Sequence, residues 1–280
     1  MNRFNLILSR KGLDSSNSNK PSFIWENGAL ISLPIPSYDI IHYSDLKYLD
    51  WSYERIFDDL DISLYCKDEH KNVINQKVTC HCDPDIFSNN KLNSIKDWKA
   101  CFGQHGIAQI HLHKKNVNVG DIFLFYGWFK KIQLIDGILS YIKESPDQHV
   151  IYGYLQIGKK VTDLDEIKKY YWHPHAQVGF AGKKNNALYV ASDYLLDTNL
   201  PGFGTFMYSP ELVLTKEGYS RSKWDLPKVI KGKGMSYHNE SSQKDDYFQS
   251  AHIGQEYVIK ADDEIKDWII DLVKRYRNND

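Results

Sequence analysis

Asp83 and Asp85 flank Pro84 at the end of a β-compatible run. Two carboxylates so placed could bind a hard cation or work as acid and base. An ordinary Asp-Pro turn uses the same residues. The run before them, Cys80-His81-Cys82, invites a zinc reading, but Cys-x-Cys is too tight for a structural knuckle, which wants two to four intervening residues. On a strand both thiols share one face and His81 takes the other. The thiols are therefore expected as small buried hydrophobes.

Four further clusters carry chemistry-bearing types. Ser9-Arg10-Lys11-Gly12, with Asp14 and Ser15, follows an apolar run. A glycine beside a lysine and hydroxyls could cradle a phosphate on backbone N–H groups, though a plain polar loop looks the same. In Gly103-Gln104-His105-Gly106-Ile107-Ala108-Gln109-Ile110-His111-Leu112-His113, a strand would put Gln109, His111 and His113 on one face. Imidazoles can ligate metal or carry protons, and the amides of Gln104 and Gln109 suit a base edge. His173-Pro174-His175 could add two more imidazoles to a metal face with His111, or form a turn. Gly254-Gln255-Glu256 opens a short β-compatible run and is weak alone.

The standard signatures are absent: no P-loop, GxGxxG, GxSxG or HExxH occurs. Charge narrows the classes. With 35 Lys+Arg against 36 Asp+Glu, the net charge of −1 excludes a uniformly basic coat for duplex DNA. It leaves room for a local groove, because residues 91–131 carry seven bases and two acids, and 211–234 six and three. Of the aromatics, Tyr126, Trp128, Tyr152 and Tyr154 could stack bases, although most are expected in the core. At 280 residues the chain can bury about 75% of its unfolded surface without staples. Four cysteines are too few for a disulfide framework, so a cytoplasmic setting is expected. The apolar start is too short for a signal, and no window is long enough to span a membrane.

These residues need elements to hold them. Strands are expected at 4–9, 29–35, 107–113, 149–157 and 186–195, with a doubly covered central strand at 120–129. Residues 94–102 should be helical, with Ser94 as cap and Gly103 as stop. The stretch 39–69, with nine acids and three bases, reads as a solvated acidic face with short helical patterns. Ile265, Trp268, Ile269, Leu272, Val273 and Tyr276 fall at helical spacing and predict a C-terminal packing helix. Without regular βα alternation, the class is α+β, with a mixed or antiparallel, barrel-like sheet and flanking helices.

The motifs taken in order are more specific than any one of them. The series includes Ser9-Arg10-Lys11-Gly12, Asp83-Pro84-Asp85, Gly103-Gln104-His105-Gly106, Gly120 to Phe129, Gly153-Tyr154-Leu155-Gln156, His173-Pro174-His175, Trp224-Asp225-Leu226-Pro227 and Gly254 to Val258. It resembles the nucleotide modification associated domain family, third numbered type, over nearly the whole chain, which implies a single domain at 1–280. The departures are Cys80-His81 before the Asp-Pro-Asp, and Tyr257 where phenylalanine is expected. The resemblance implies a protein of bacteria or phages that modifies or handles modified nucleotides, often beside restriction-type defence genes. The Gly120–Tyr126 strand also resembles one in PUA-like barrels that read modified bases.

The resulting expectation is an enzyme on a nucleotide or DNA base, with Asp14, Asp83, Asp85, His111, His173 and His175 catalytic. Ser9, Arg10, Lys11, Ser15, Gln104, Gln109, Gln156, Gln255 and Glu256 would bind substrate. The sequence names no cofactor and leaves the metal and the reaction open. The expected partners are a nucleotide or DNA base, and DNA itself, but no membrane. A binding module without chemistry, or a metalloenzyme on another substrate, are the alternatives.

Overall fold

The run Ile-Phe-Leu-Phe-Tyr-Gly-Trp-Phe at 122–129 has no polar face, so it can be stable only with cover on both sides. In the computed structural model, which describes residues 4–67, 73–75, 79–87, 95–251 and 255–279, it opens the long central strand Ile122–Ile135. Residues 122–127 and Phe129 are buried; beyond Lys130 the strand becomes largely exposed. Asn5–Arg10 lies parallel on one side, and Gln148–Val161 antiparallel on the other. The sheet order across these strands is Cys101–Gln104, Ala187–Ala191, Gln148–Val161, Ile122–Ile135, Asn5–Arg10, Glu256–Lys260. The fold is mixed α+β, and the sheet curls into a half-barrel with flanking helices.

Parallel neighbours cannot be joined by a tight turn. The chain therefore crosses over between Arg10 and Ile122, and that connection builds a second core. Ile41, Tyr43, Leu46, Tyr53, Ile56, Phe57, Leu60, Ile62 and Leu64 pack there with Cys80 and Cys82. This corrects the solvated acidic face expected at 39–69. Only part of that surface is acidic skin; its apolar residues line a core, and Asp39 is turned inward. The two thiols lie 3.7 Å apart in that core, as strand alternation requires.

The C-terminal helix, Asp263–Tyr276, buries Ile265, Ile269, Leu272 and Val273 against the main core. Asp262 caps it, accepting the Ile265 N–H at 3.1 Å, with Asp263 and Glu264 in the first turn and Lys274 and Arg275 in the last. Among the described residues no helix is long and apolar enough to cross a membrane.

Three elements differ from their sequence expectation. Cys101–Gln104 is an edge strand, not the end of a helix. Asp97 has a positive φ of 62°, and pairing with Ala187–Ala191 extends the chain. Phe102 then enters the main core, while Cys101 enters a smaller one. The Ser94 cap lies outside the described residues. Conversely, Gly106–Lys114 is a helix rather than a strand. Its residues read equally as period two or as i, i+3, and the fold buries Gln109 and Leu112 together. His111, His113 and Lys114 in its last turn suit the dipole. The strand expected at 29–35 is confined to Leu30–Ile31, and a new one, Ile35–His42, follows.

Candidate functional site

Asp83 stands where the strand Thr79–His81 has just left its partner Ile35–His42, ahead of a cis Asp83–Pro84 bond. Its Oδ1 accepts the Gly103 N–H at 2.9 Å and lies 3.3 Å from His173 Nε2. Its Oδ2 lies 3.7 Å from both His81 Nε2 and His175 Nε2. Three imidazoles from two distant segments thus surround one buried carboxylate. Strand alternation delivers His81, because its neighbours Cys80 and Cys82 face the second core. A 3-10 turn, Pro174–Ala176, delivers the other two, and its cap is His173 Nδ1 accepting the His175 N–H at 3.2 Å. That bond leaves the His173 proton on Nε2, 3.3 Å from Asp83 Oδ1 but out of line for a hydrogen bond.

Burial and neighbours set the charges. Burial works against ionising Asp83, but His173 and His81 outweigh it and hold the carboxyl well below the usual range. Burial also opposes charge on His81, and Asp39 and Asp83 overcome it, raising that imidazole. The Asp39 carboxylate lies 3.3 Å from His81 Nδ1. Burial lowers His175 to about 3, so its ring is neutral. Asp85 is pushed up to about 7 by burial, although the Trp98 indole N–H, 2.7 Å from its Oδ2, partly offsets this. Two carboxyls two residues apart are therefore pushed in opposite directions, the pattern that separates acid from base.

The cluster opens into a cavity of about 350 Å³. Arg10, Lys11, Gly12 and Asp14 line it from one side, and Gln104, His105 and Gln255 from others. Phe180 forms an apolar wall, its ring 4.5 Å from that of His81 and 5.1 Å from that of His175. Gly12 has φ +82°, and a Cβ there would strike Ser32, so the loop can turn into the cavity only with glycine. Lys11 is held by Glu256 at 2.8 Å, and the same Glu256 oxygen accepts from Gln104 at 2.7 Å. The Lys11 ammonium also sits 4.7 Å from the Phe102 ring centroid.

The structure gathers Arg10, Lys11, Asp14, Asp83, Gln104, His175 and Gln255 around this cavity. His173 and Glu256 stand directly behind it. Ser9 is buried in the sheet, and Ser15 lines an adjoining groove, where Arg221 donates to its Oγ at 3.1 Å. Asp85 faces a small separate void across Pro84. Gln109 accepts from the Tyr189 hydroxyl at 2.8 Å beside a different cavity. His111 pairs with Ser236 Oγ at 2.9 Å and does not join the imidazole cluster. Gln156 accepts the Leu196 N–H. Of the proposed stacking rings, Tyr126, Tyr152 and Tyr154 are core, while Trp128 is half-buried under the Arg221 guanidinium, 3.9 Å away.

Residues 5–260 match the family model for nucleotide modification associated domain 3. The chain belongs to that family. The matched span begins with the first strand of the main sheet and ends with the last, at Lys260. The nucleotide modification associated domain therefore contains the whole Asp83 cluster and leaves the C-terminal helix outside. No curated protein and no solved structure matches the chain.

Sequence reasoning did not single out His81, Asp39 or Gly103 as site residues. The signal for His81 was present: if both thiols face one core, the imidazole must face elsewhere. Asp39 was hidden among eight other acids of its segment. Gly103, in the sequence alone, reads as a helix stop.

Proposed function

We propose that this protein is an enzyme that modifies a nucleotide or a DNA base, with the Asp83–histidine cluster as its reacting centre. The observation that carries this is convergence: a buried carboxylate and two imidazoles, backed by a third, meet at a cavity whose other walls carry Arg10, Lys11, Gln104 and Gln255. About 350 Å³ lies at the small-ligand end of binding-site sizes and suits one nucleotide-sized ligand. A base in DNA would have to be turned out of its stack to enter, and Phe180 supplies a flat apolar wall. Arg10 meets the phosphate, with Lys11 fixed by Glu256 beside it. The amides of Gln104 and Gln255 orient the base. His173 holds a proton beside Asp83, and His81 and His175 face its second oxygen. A bacterial or phage setting beside restriction-type defence genes, and a cytoplasmic location, go with this reading.

The test is nucleoside mass spectrometry of DNA and of the nucleotide pool, from cells expressing the natural chain or its Asp83→Asn variant together with the neighbouring genes. A changed nucleoside that disappears with Asp83→Asn is expected. Identical profiles in both strains would overturn the reading.

A second reading has one observation in its favour: Asp83 Oδ1 already accepts the Gly103 N–H and has an imidazole beside it at 3.3 Å, as in a purely structural network. The protein would then only recognise a modified base. It predicts ligand binding that survives Asp83→Asn and no turnover by the purified protein.

A further inference from the structure

The Asp83 Oδ2 atom faces two imidazole nitrogens at 3.7 Å each, both beyond hydrogen-bond length. What those nitrogens present follows from their outer partners. Asn186 donates its amide N–H to the His175 carbonyl at 2.9 Å, so its Oδ1 is the atom 2.7 Å from His175 Nδ1. An amide oxygen only accepts. His175 therefore carries its proton on Nδ1 and turns an Nε2 lone pair toward Asp83. A lone pair facing a carboxylate oxygen repels it unless positive charge lies between. His81 is likewise oriented from outside, by the Asp39 carboxylate 3.3 Å from its Nδ1, so that its Nε2 faces Asp83. Orientation of two rings by an outer amide oxygen and an outer carboxylate is how metal-ligating imidazoles are held. The other Asp83 oxygen accepts the Gly103 N–H, with His173 Nε2 3.3 Å away, which keeps Oδ2 turned inward.

We infer that His81 Nε2, Asp83 Oδ2 and His175 Nε2 bind one divalent first-row transition-metal ion. The three ligand atoms lie within 4.8 Å of one another. Bonds of about 2.1 Å at tetrahedral or octahedral angles put ligand atoms roughly 3.0–3.5 Å apart. Small side-chain rotations close the difference. Two imidazoles and a carboxylate suit iron, cobalt or zinc rather than magnesium or calcium, which take oxygen ligands. The Cys80 and Cys82 thiols lie in the second core and supply no soft ligand. Three protein ligands leave coordination positions open on the cavity side, where Gly103, Gln104, His105 and Phe180 stand. The inference rests on the reading of that cavity as the substrate site for what fills those positions. The ligand set itself stands on geometry.

The experiment uses untagged full-length protein purified without chelator. Elemental analysis and titration with Co²⁺, followed by its visible absorption, give stoichiometry and affinity. About one metal per chain is expected, with at least tenfold weaker binding in His81→Asn and Asp83→Asn. Asp39→Asn, which keeps the ligands, should weaken binding by about tenfold; His111→Gln and His238→Gln should leave it unchanged. Circular dichroism identifies variants that fold. Absence of stoichiometric iron, cobalt, zinc or manganese would overturn the inference, as would equal binding by folded Asp83→Asn. Metal binding with unaltered cellular nucleosides would uphold the metal and overturn the nucleotide reading. Altered nucleosides with a metal-free protein would do the reverse.

Discussion

The imidazole of His175 occupies the space that a Cβ on residue 103 would fill. Glycine at 103 therefore serves two ends: its N–H fixes Asp83 Oδ1, and its missing side chain lets His175 reach Oδ2. Gly103→Ala should push the ring off by about an ångström. An error of that size costs about 100-fold in rate where geometry is tight, while overpacking costs about 1–3 kcal/mol of stability. Nucleoside mass spectrometry and a urea melt would separate the two effects. A second residue-scale expectation concerns His149, which is buried and accepts the Trp224 indole N–H on Nδ1 at 3.0 Å. Burial, then Arg221 and Arg10, lowers it to about 3 from an ordinary 6.5. The folded state thus refuses a proton that the unfolded state accepts. Its stabilising contribution is full above pH 6.5 and is lost as pH falls toward 3, by an amount on the order of 4 kcal/mol. Urea midpoints at pH 7.5 and 5 should differ in the natural chain and differ less in His149→Gln.

At the scale of elements, the helices divide by what specifies them. Asp263–Tyr276 carries its own instructions: an apolar stripe, a capping aspartate, acids first and bases last. Asp262→Ala should remove the bond to the Ile265 N–H and cost about 1 kcal/mol. The exposed Asp262–Lys233 pair adds little to that. A thermal melt should fall by about 2–4 °C. The helix Gly106–Lys114 has no such stripe, with Ile107 and Ile110 exposed. Its conformation is bound to Gln109, which reaches the hydroxyl of Tyr189, and to Leu112, which joins the main core. These partners come from elsewhere in the chain, which is why the local pattern allowed a strand.

For the whole molecule, the curl of the sheet brings its outermost strands together. Gln104 on one edge donates to Glu256 on the other, and Lys11, at the end of the strand beside it, shares the same carboxylate. Glu256 and Lys11 have side-chain exposures of only 1% and 11%, so solvent does little to replace a lost partner. Glu256→Ala should strand the ammonium and cost about 3–5 kcal/mol. Lys11→Met with Glu256→Gln keeps the edge-to-edge hydrogen bond and removes both charges, so it should recover most of that loss. A double-mutant cycle by urea denaturation would give the coupling. Natural stability in Lys11→Met alone, which leaves the buried carboxylate without its cation, would contradict the shared role.

Some of this was legible in the residues themselves. The central strand follows from an apolar run with no polar face, the C-terminal helix from its stripe and caps, and the outward turn of His81 from the thiols on either side. The family resemblance followed from the order of motifs. Folding alone chose Asp83 over Asp14 as the centre of the cluster, joined His81 to His175, and separated His111 from both. It also turned Asp39 out of an acidic segment and into the site. The physical reason is that period and capping act within a few residues, whereas a buried charge is stabilised by partners of any sequence distance. Asp83 is ionised because His81, Gly103 and His173 meet it in space, and no local pattern of residues encodes that meeting.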